Sequence, residues 1–566
     1  MGSTRSKLSA ARLLRELEGI GTRFGEGLAG RKAELLRELA RAKLANARQV
    51  ERLHEAACFL RAVPDDADVL RECEALLARF EQRRDLRRFC NELADTGIAG
   101  TELNYPFFAP TARRLAQRWG ERLRVNWAWF DGREKLEGRL ALLASYSETP
   151  GLDEHDLPLR KWIERLKSPS ETDAQFLVRR LARVGADEAQ RDTLYEELGL
   201  ELTLAPGPGT PSRTHAKLAR PRIHFQSAPL RRERPDVRAV LREAKLSIRD
   251  VDPREGARLV DMARDAMATR SRDLDAFMHG DARDVRLVDC GEGLEFACIG
   301  VRPERRLMLE SVYGFLTLRN GVPIGYVLTS ALWGSSEIAY NVFDTWRGGE
   351  AGYVYGRVLA MTARLFGSDS FTIYPYQLGG DGNSEGLASG AWWFYQKLGF
   401  RSREVRVLAT MRRELAAMRR DPSHRSSIAT LRQLARENVY WYAGRPRDDV
   451  IGLFPLDQVG LAITDLLARR FGADRERGEA ECASEAARLC GARDWKRWTS
   501  DERLWWVRWS PLILVLPGVE LWSAAELRAL VECVRAKAGR RESDFVLLTN
   551  RHARLRAALR RLAARR

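Results

Sequence analysis

The chain has no cysteine pair at C-x-x-C spacing, and no histidine stands at zinc-finger spacing from Cys58, Cys73, Cys90, Cys290, Cys298, Cys482, Cys490 or Cys533. A zinc ligand set is therefore not expected. Most of these cysteines lie in apolar helical or strand contexts, the usual setting of buried free thiols. Also missing is an uninterrupted apolar run of the roughly 18–20 residues that a membrane span needs. Residues 511–517 are apolar but far too few. Residues 1–7 lead into an amphipathic helix without the apolar core of a secretion signal, which predicts a cytoplasmic protein. Nor is there an H-E-x-x-H pair or a G-x-x-x-x-G-K-[ST] loop. Metalloprotease and P-loop nucleotide-binding chemistries lose their usual signatures with them.

What is present is long, charged and basic. A chain of 566 residues exceeds the roughly 250–300 that one core usually serves, so several domains are expected. Charged residues make up 31% and the formal net charge is +17. The arginines alternate with acids along helical stripes, as in Leu14-Arg15-Glu16-Leu17-Glu18, the pattern of a salt-paired exposed face. Only residues 551–566 are nearly pure Arg, Ala and Leu, and a solvated terminal helix accounts for them. Charge alone points to nucleic acid, which makes it the weakest of the partner readings.

Apolar spacing predicts helices through residues 1–200, with an aromatic group at Trp119, Trp127, Trp129 and Phe130 that reads as core. Residues 201–235 read as a linker, rich in Pro and Gly and then in Arg. In the central segment the texture changes to short β-branched and aromatic runs bounded by Gly, Asn or Pro. These are predicted strands, with Asn320-Gly321 as a hairpin turn. A further strand is predicted over 337–343, a helix over 350–366, a strand over 370–376, and a Gly-rich loop leading to a helix that ends near Gly399. After Phe400 the chain reads as helix, and 431–566 as largely helical with Trp495, Trp498, Trp505, Trp506 and Trp509 together. The expected fold class is α+β and multidomain: helical N- and C-terminal regions around a central mixed α/β domain over 236–420, with the C-terminal region at 421–566.

The chemistry is expected in residues 309–400. A strand that feeds a Gly-rich turn at a helix start makes an anion site, because the first helical N–H groups lack internal partners and the helix dipole favours negative charge. Gly348 and Gly349 remove side chains there, and Arg347 adds a guanidinium suited to phosphate. The run Phe394-Tyr395-Gln-Lys-Leu-Gly399-Phe400 resembles the end of a GNAT-type N-acyltransferase domain, and Arg347 to Gly352 resembles that family's phosphate turn.

The resemblance implies an acyl-CoA, such as acetyl-CoA, as co-substrate, held by Arg347, Gly348, Gly349 and Gly352 with Asn383 nearby. It implies Tyr395 as the acid that protonates the leaving thiolate, and Glu337 or Asn341 as general base on the strand before the turn. Four residues apart, Glu337 and Asn341 share a strand face. The acceptor would be an amine on a small molecule or a protein. The sequence departs from the family at three places. Glu350 replaces a glycine, Ala388 stands where an asparagine is usual, and a helix follows Phe400 in place of a hairpin. A Glu350 carboxylate about 4 Å from a phosphate would repel it by roughly 4 kcal/mol at an effective dielectric near 20. These departures support an alternative, a non-catalytic GNAT-like scaffold whose helical regions bind a protein partner.

Overall fold

The computed structural model describes residues 9–219 and 221–564, so residues 1–7 and the last two arginines of the basic tail lie outside the described residues. The N-terminal region opens with four helices: α1 (Ala10–Gly21), α2 (Leu28–Arg41), α3 (Ala47–Ala62) and α4 (Ala67–Ala78). Their leucines recur at three and four, and Leu14, Leu17, Leu35, Leu39 and Leu53 are fully buried between them. Asp66 caps α4 by accepting from the Val69 amide, so the Pro64-Asp65-Asp66 turn both ends α3 and starts α4. The next stretch is helical apart from β1 (Leu103–Tyr105) and β2 (Leu123–Val125), which flank β3 (Leu202–Leu204) in a small antiparallel sheet. In the aromatic group there, Phe130 is buried and Trp129 is 59% exposed.

The described residues of 205–235 form no helix or strand, but they are packed down rather than free. Arg61 on α3 donates to the Thr214 carbonyl at 2.6 Å, the Gln226 amide to Pro64 at 2.8 Å and the Leu218 amide to Gly321 at 3.0 Å. The segment is a strap that ties the N-terminal helices to the central sheet.

That sheet has eight strands: β4 (Ser247–Asp250), β5 (Gly280–Asp289), β6 (Leu294–Val301), β7 (Ser311–Arg319), β8 (Val322–Leu332), β9 (Ser335–Val342), β10 (Ser370–Ile373) and β11 (Val439–Tyr442). They lie in chain order across the sheet, with helix α5 (Pro253–Ala268) between β4 and β5. Asn320 and Gly321 both take positive φ, 49° and 75°, in the tight turn between β7 and β8. All neighbours pair antiparallel except β9 and β10, which are parallel and joined by α6 (Ala351–Phe366). One face, including Phe315, Val327 and Ile338, packs against α6. The other, including Leu287, Leu316 and Leu318, shares a core with α5 and the N-terminal helices.

Two local expectations are corrected. Residues 374–376 are not strand: β10 stops at Ile373, and Pro375 opens a short helix, Pro375–Leu378, for which its fixed φ is preset. The C-terminal region holds a strand amid its helices, because β11 pairs with β10 over Ser370–Ile373 and so completes the sheet edge. Beyond Phe400 the chain does turn helical, at α9 (Val405–Arg420), after the short helices α7 (Ser384–Ser389) and α8 (Ala391–Lys397). The C-terminal helices α10 (Ser500–Val515), α11 (Ala524–Ala538), α12 (Glu542–Arg551) and α13 (Ala553–Ala563) close over the α6 face, burying Trp505, Trp506 and Trp509. The eight cysteines are free and all but Cys90 are buried.

Candidate functional site

Strands β9 and β10 pair only from Ser335 to Glu337. Past that point residues 338–342 of β9 pair with β8 alone, while the chain leaves β10 into the Pro375 helix. A fork therefore opens beside α6, and most residues expected to carry chemistry lie around it.

The turn before α6 is built on Gly348, whose φ of 80° favours glycine and whose would-be Cβ meets nothing within 4 Å. Glu350 occupies the N-cap position of α6 but makes no side-chain cap bond. Its carboxylate accepts from the Arg231 amide at 3.2 Å and lies 3.4 Å from Arg319 on β7. The acid that would compete for the first-turn amides is thus drawn inward. The far side of this turn is covered by the strap. A Cβ on Gly352 would lie 3.4 Å from both the Glu233 carbonyl and Pro235, so the close approach that Gly352 permits is to the chain itself. Gly349 sits against the Trp346 carbonyl. Outside the turn, Glu18, Glu51, Arg52 and Glu55 of α1 and α3 border a groove of about 290 Å³ that reaches Gly348.

Arg347 already pairs with the protein's own groups. Its Nε donates to the Val342 carbonyl at 3.0 Å, and its Nη1 pairs with Asp344 at 2.6 Å and with Glu385. Since Glu385 belongs to α7, this guanidinium is a clasp across the mouth of the fork. Asn383 caps α7, accepting from the Gly386 amide at 2.9 Å and donating to the Tyr376 carbonyl at 2.7 Å. Both residues hold the loop opposite β9.

Glu337 and Asn341 do share a face of β9, the face away from α6, where their β8 partners are Ser330 and Tyr326. Burial, reinforced by the nearby Glu310 carboxylate, pushes the Glu337 carboxyl up to about 7. A group poised there exchanges protons at neutral pH. Tyr374, at the end of β10, has its hydroxyl raised by burial and by the same two carboxylates, so it faces them. The Asn341 Oδ1 is buried without a partner.

Tyr395 lies on the other side of the sheet. It is 3% exposed, with its ring 5.5 Å from Tyr355, 5.2 Å from Phe394 and 5.9 Å from Phe400. Burial raises its hydroxyl well above the ordinary tyrosine value. Tyr340 of β9 packs 5.3 Å from Tyr355, and Tyr395 adds to the rise in its pKa, so three hydroxyls share one buried cluster.

Sequence reasoning overlooked Glu310, Tyr340 and Tyr355, and also a cationic group made by Arg234, Lys397 and Arg425. Both arginines, after burial, lower the Lys397 pKa. Strand alternation in β9 was the available signal for Tyr340. The others are brought in from distant segments. Elsewhere, Glu188, Asp192 and His279 place ligand atoms within 4.8 Å of one another, but Arg113 and Arg305 already pair with both carboxylates and Arg302 with Glu188. Burial and the cations Arg305 and Arg302 lower the His279 pKa to about 4.

Searches of family models, curated proteins and solved structures found no match to this chain. Among the described residues no helix is long and apolar enough to cross a membrane.

Proposed function

We propose that the fork between β9 and β10 is the active site of a GNAT-like N-acyltransferase that moves an acyl group from acyl-CoA to an amine. One observation carries the reading. A parallel strand pair joined by a helix parts just where Glu337 places a carboxyl with a pKa of about 7. Glu337 accepts the proton of the attacking amine, and Glu310 beside it favours a cationic acceptor.

The residues present suit the CoA phosphates on one side. The start of α6 is uncapped by side chains and Gly348 is open. The acyl-CoA would supply an activated thioester carbonyl, and Tyr395 the proton for the departing sulfur. The test is calorimetric titration with acetyl-CoA, followed by transfer of labelled acetyl groups to a panel of amines. Saturable binding and transfer lost in Glu337→Gln support the reading. A protein that neither binds nor transfers overturns it.

A second reading, a non-catalytic binding module of the same fold, is favoured by the burial of Tyr395 and by the Arg347–Glu385 clasp. Saturable CoA binding without transfer to any amine would select it.

A further inference from the structure

A cavity of about 40 Å³ lies under the first turn of α6, between the ends of β7, β8 and β9 and the tip of α3. By that measure it has room for about three water-sized particles. Its walls are mostly apolar, from Val63, Leu230, Leu294, Ile324 and Val354. Four lining residues nevertheless keep buried polar atoms with no partner: Thr317 Oγ1, Arg319 Nε and Nη1, Asn341 Oδ1 and Trp346 Nε1.

Buried polar groups are nearly always satisfied. Here the unmet groups are chiefly donors. Arginine and indole nitrogens can only donate, and a threonine hydroxyl can donate as well as accept. Arg319 is 3% exposed and Thr317 1%, so bulk water cannot serve them. The two neighbours that Arg319 does have, Gln226 at 3.0 Å and Glu350 at 3.4 Å, both meet its Nη2, which leaves the other two nitrogens free. The start of α6, with its positive dipole end, forms another wall through Gly349, Glu350 and Ala351.

We propose that this cavity binds a small monovalent anion, a halide or a short carboxylate, held by Arg319, Thr317 and Trp346. Bound there, the anion supplies the acceptor that the donors lack and ties β7 to the turn that opens α6. The cavity borders the fork through Asn341 and the start of α6, but its donors Arg319, Thr317 and Trp346 take no part in the proposed transfer, so it stands whether or not the fork takes acyl-CoA.

The test uses the full chain. Melting is followed while chloride, bromide or acetate replaces gluconate, an anion too bulky for the cavity, at constant ionic strength. A saturable rise in melting temperature is expected with the small anions. A rise with halides only assigns a halide; a rise with acetate as well assigns the carboxylate. Trp346→Phe keeps the ring packing but removes one donor, and should weaken binding about fivefold. Arg319→Met should abolish it. Should that variant not fold, Thr317→Val and Trp346→Phe together serve in its place. Crystals soaked in bromide should show anomalous density beside Arg319. Melting that is indifferent to the anion, density for waters only, or variants that respond like the native chain would each overturn the proposal.

Discussion

The Glu350 carboxylate reaches away from the helix it precedes and lies 3.4 Å from Arg319, a guanidinium at the end of β7. An N-cap acid would ordinarily bond the first-turn amides. Here the buried cation draws it off, so those amides have no side-chain cap. Both side chains are nearly sealed, at 9% and 3% exposure. Glu350→Ala should therefore cost about 2–4 kcal/mol, because it leaves Arg319 buried without its countercharge. Urea denaturation of the two proteins measures the difference.

Glu337 makes stability depend on pH. Its carboxyl is raised from the ordinary 4.5 to about 7, first by burial and then by Glu310. The folded chain thus keeps a proton that the unfolded chain has lost. Stability should fall as pH rises from about 4.5 to 7 and then level off. Glu337→Gln should flatten that slope and be more stable than the native chain above neutrality, by roughly 1–2 kcal/mol after screening. If Glu337 is the base, transfer should rise with pH and plateau above about 7. Melting curves and rate profiles across this range check both.

Tyr395 separates the two functional readings. Tyr395→Ala should destabilise the protein by about 3–5 kcal/mol, since the ring fills a tight aromatic cluster. Tyr395→Phe should fold normally and bind CoA with unchanged affinity. For an acyltransferase, transfer should slow about 10²–10⁴-fold. An unchanged rate would confine the tyrosine to packing.

Asn383 earns its place as a cap. Asn383→Ala should cost about 1 kcal/mol. Amide exchange should quicken in Ser384–Ser389 but not in α6, because the lost bonds are to Gly386 and Tyr376.

The C-terminal helices are locked to the sheet by buried charge. Lys537 of α11 pairs with Glu542 of α12 at 2.5 Å and donates to the Glu310 carbonyl at 2.7 Å, and both side chains have no exposure. Lys537→Met should cost about 3–5 kcal/mol, and adding Glu542→Leu should recover part of that loss. A double-variant cycle by chemical denaturation measures the coupling.

Much of the fold was legible because it is written in local pattern. The helical stripes of α1 to α4, the Asn320-Gly321 turn and the order of strand, glycine turn, helix and strand from β9 to β10 follow from period and turn chemistry. The strand β11 was not legible. Its four residues lie in a mainly helical context and become strand only by pairing with β10. The shared face of Glu337 and Asn341 was likewise readable from alternation, while the value near 7 at Glu337 was not, because it comes from burial by the folded chain and then from Glu310, just ahead of β7.

By itself, then, the sequence determined where the chain bends, which faces are apolar and which residue types stand at the turn before α6. Only the tertiary structure decided what those residues do. Arg347 became a clasp because α7 brought Glu385 to it, and Glu350 turned inward because β7 brought Arg319 beneath it. Charge pairing and burial join segments distant along the chain, and no local pattern records which ones will meet.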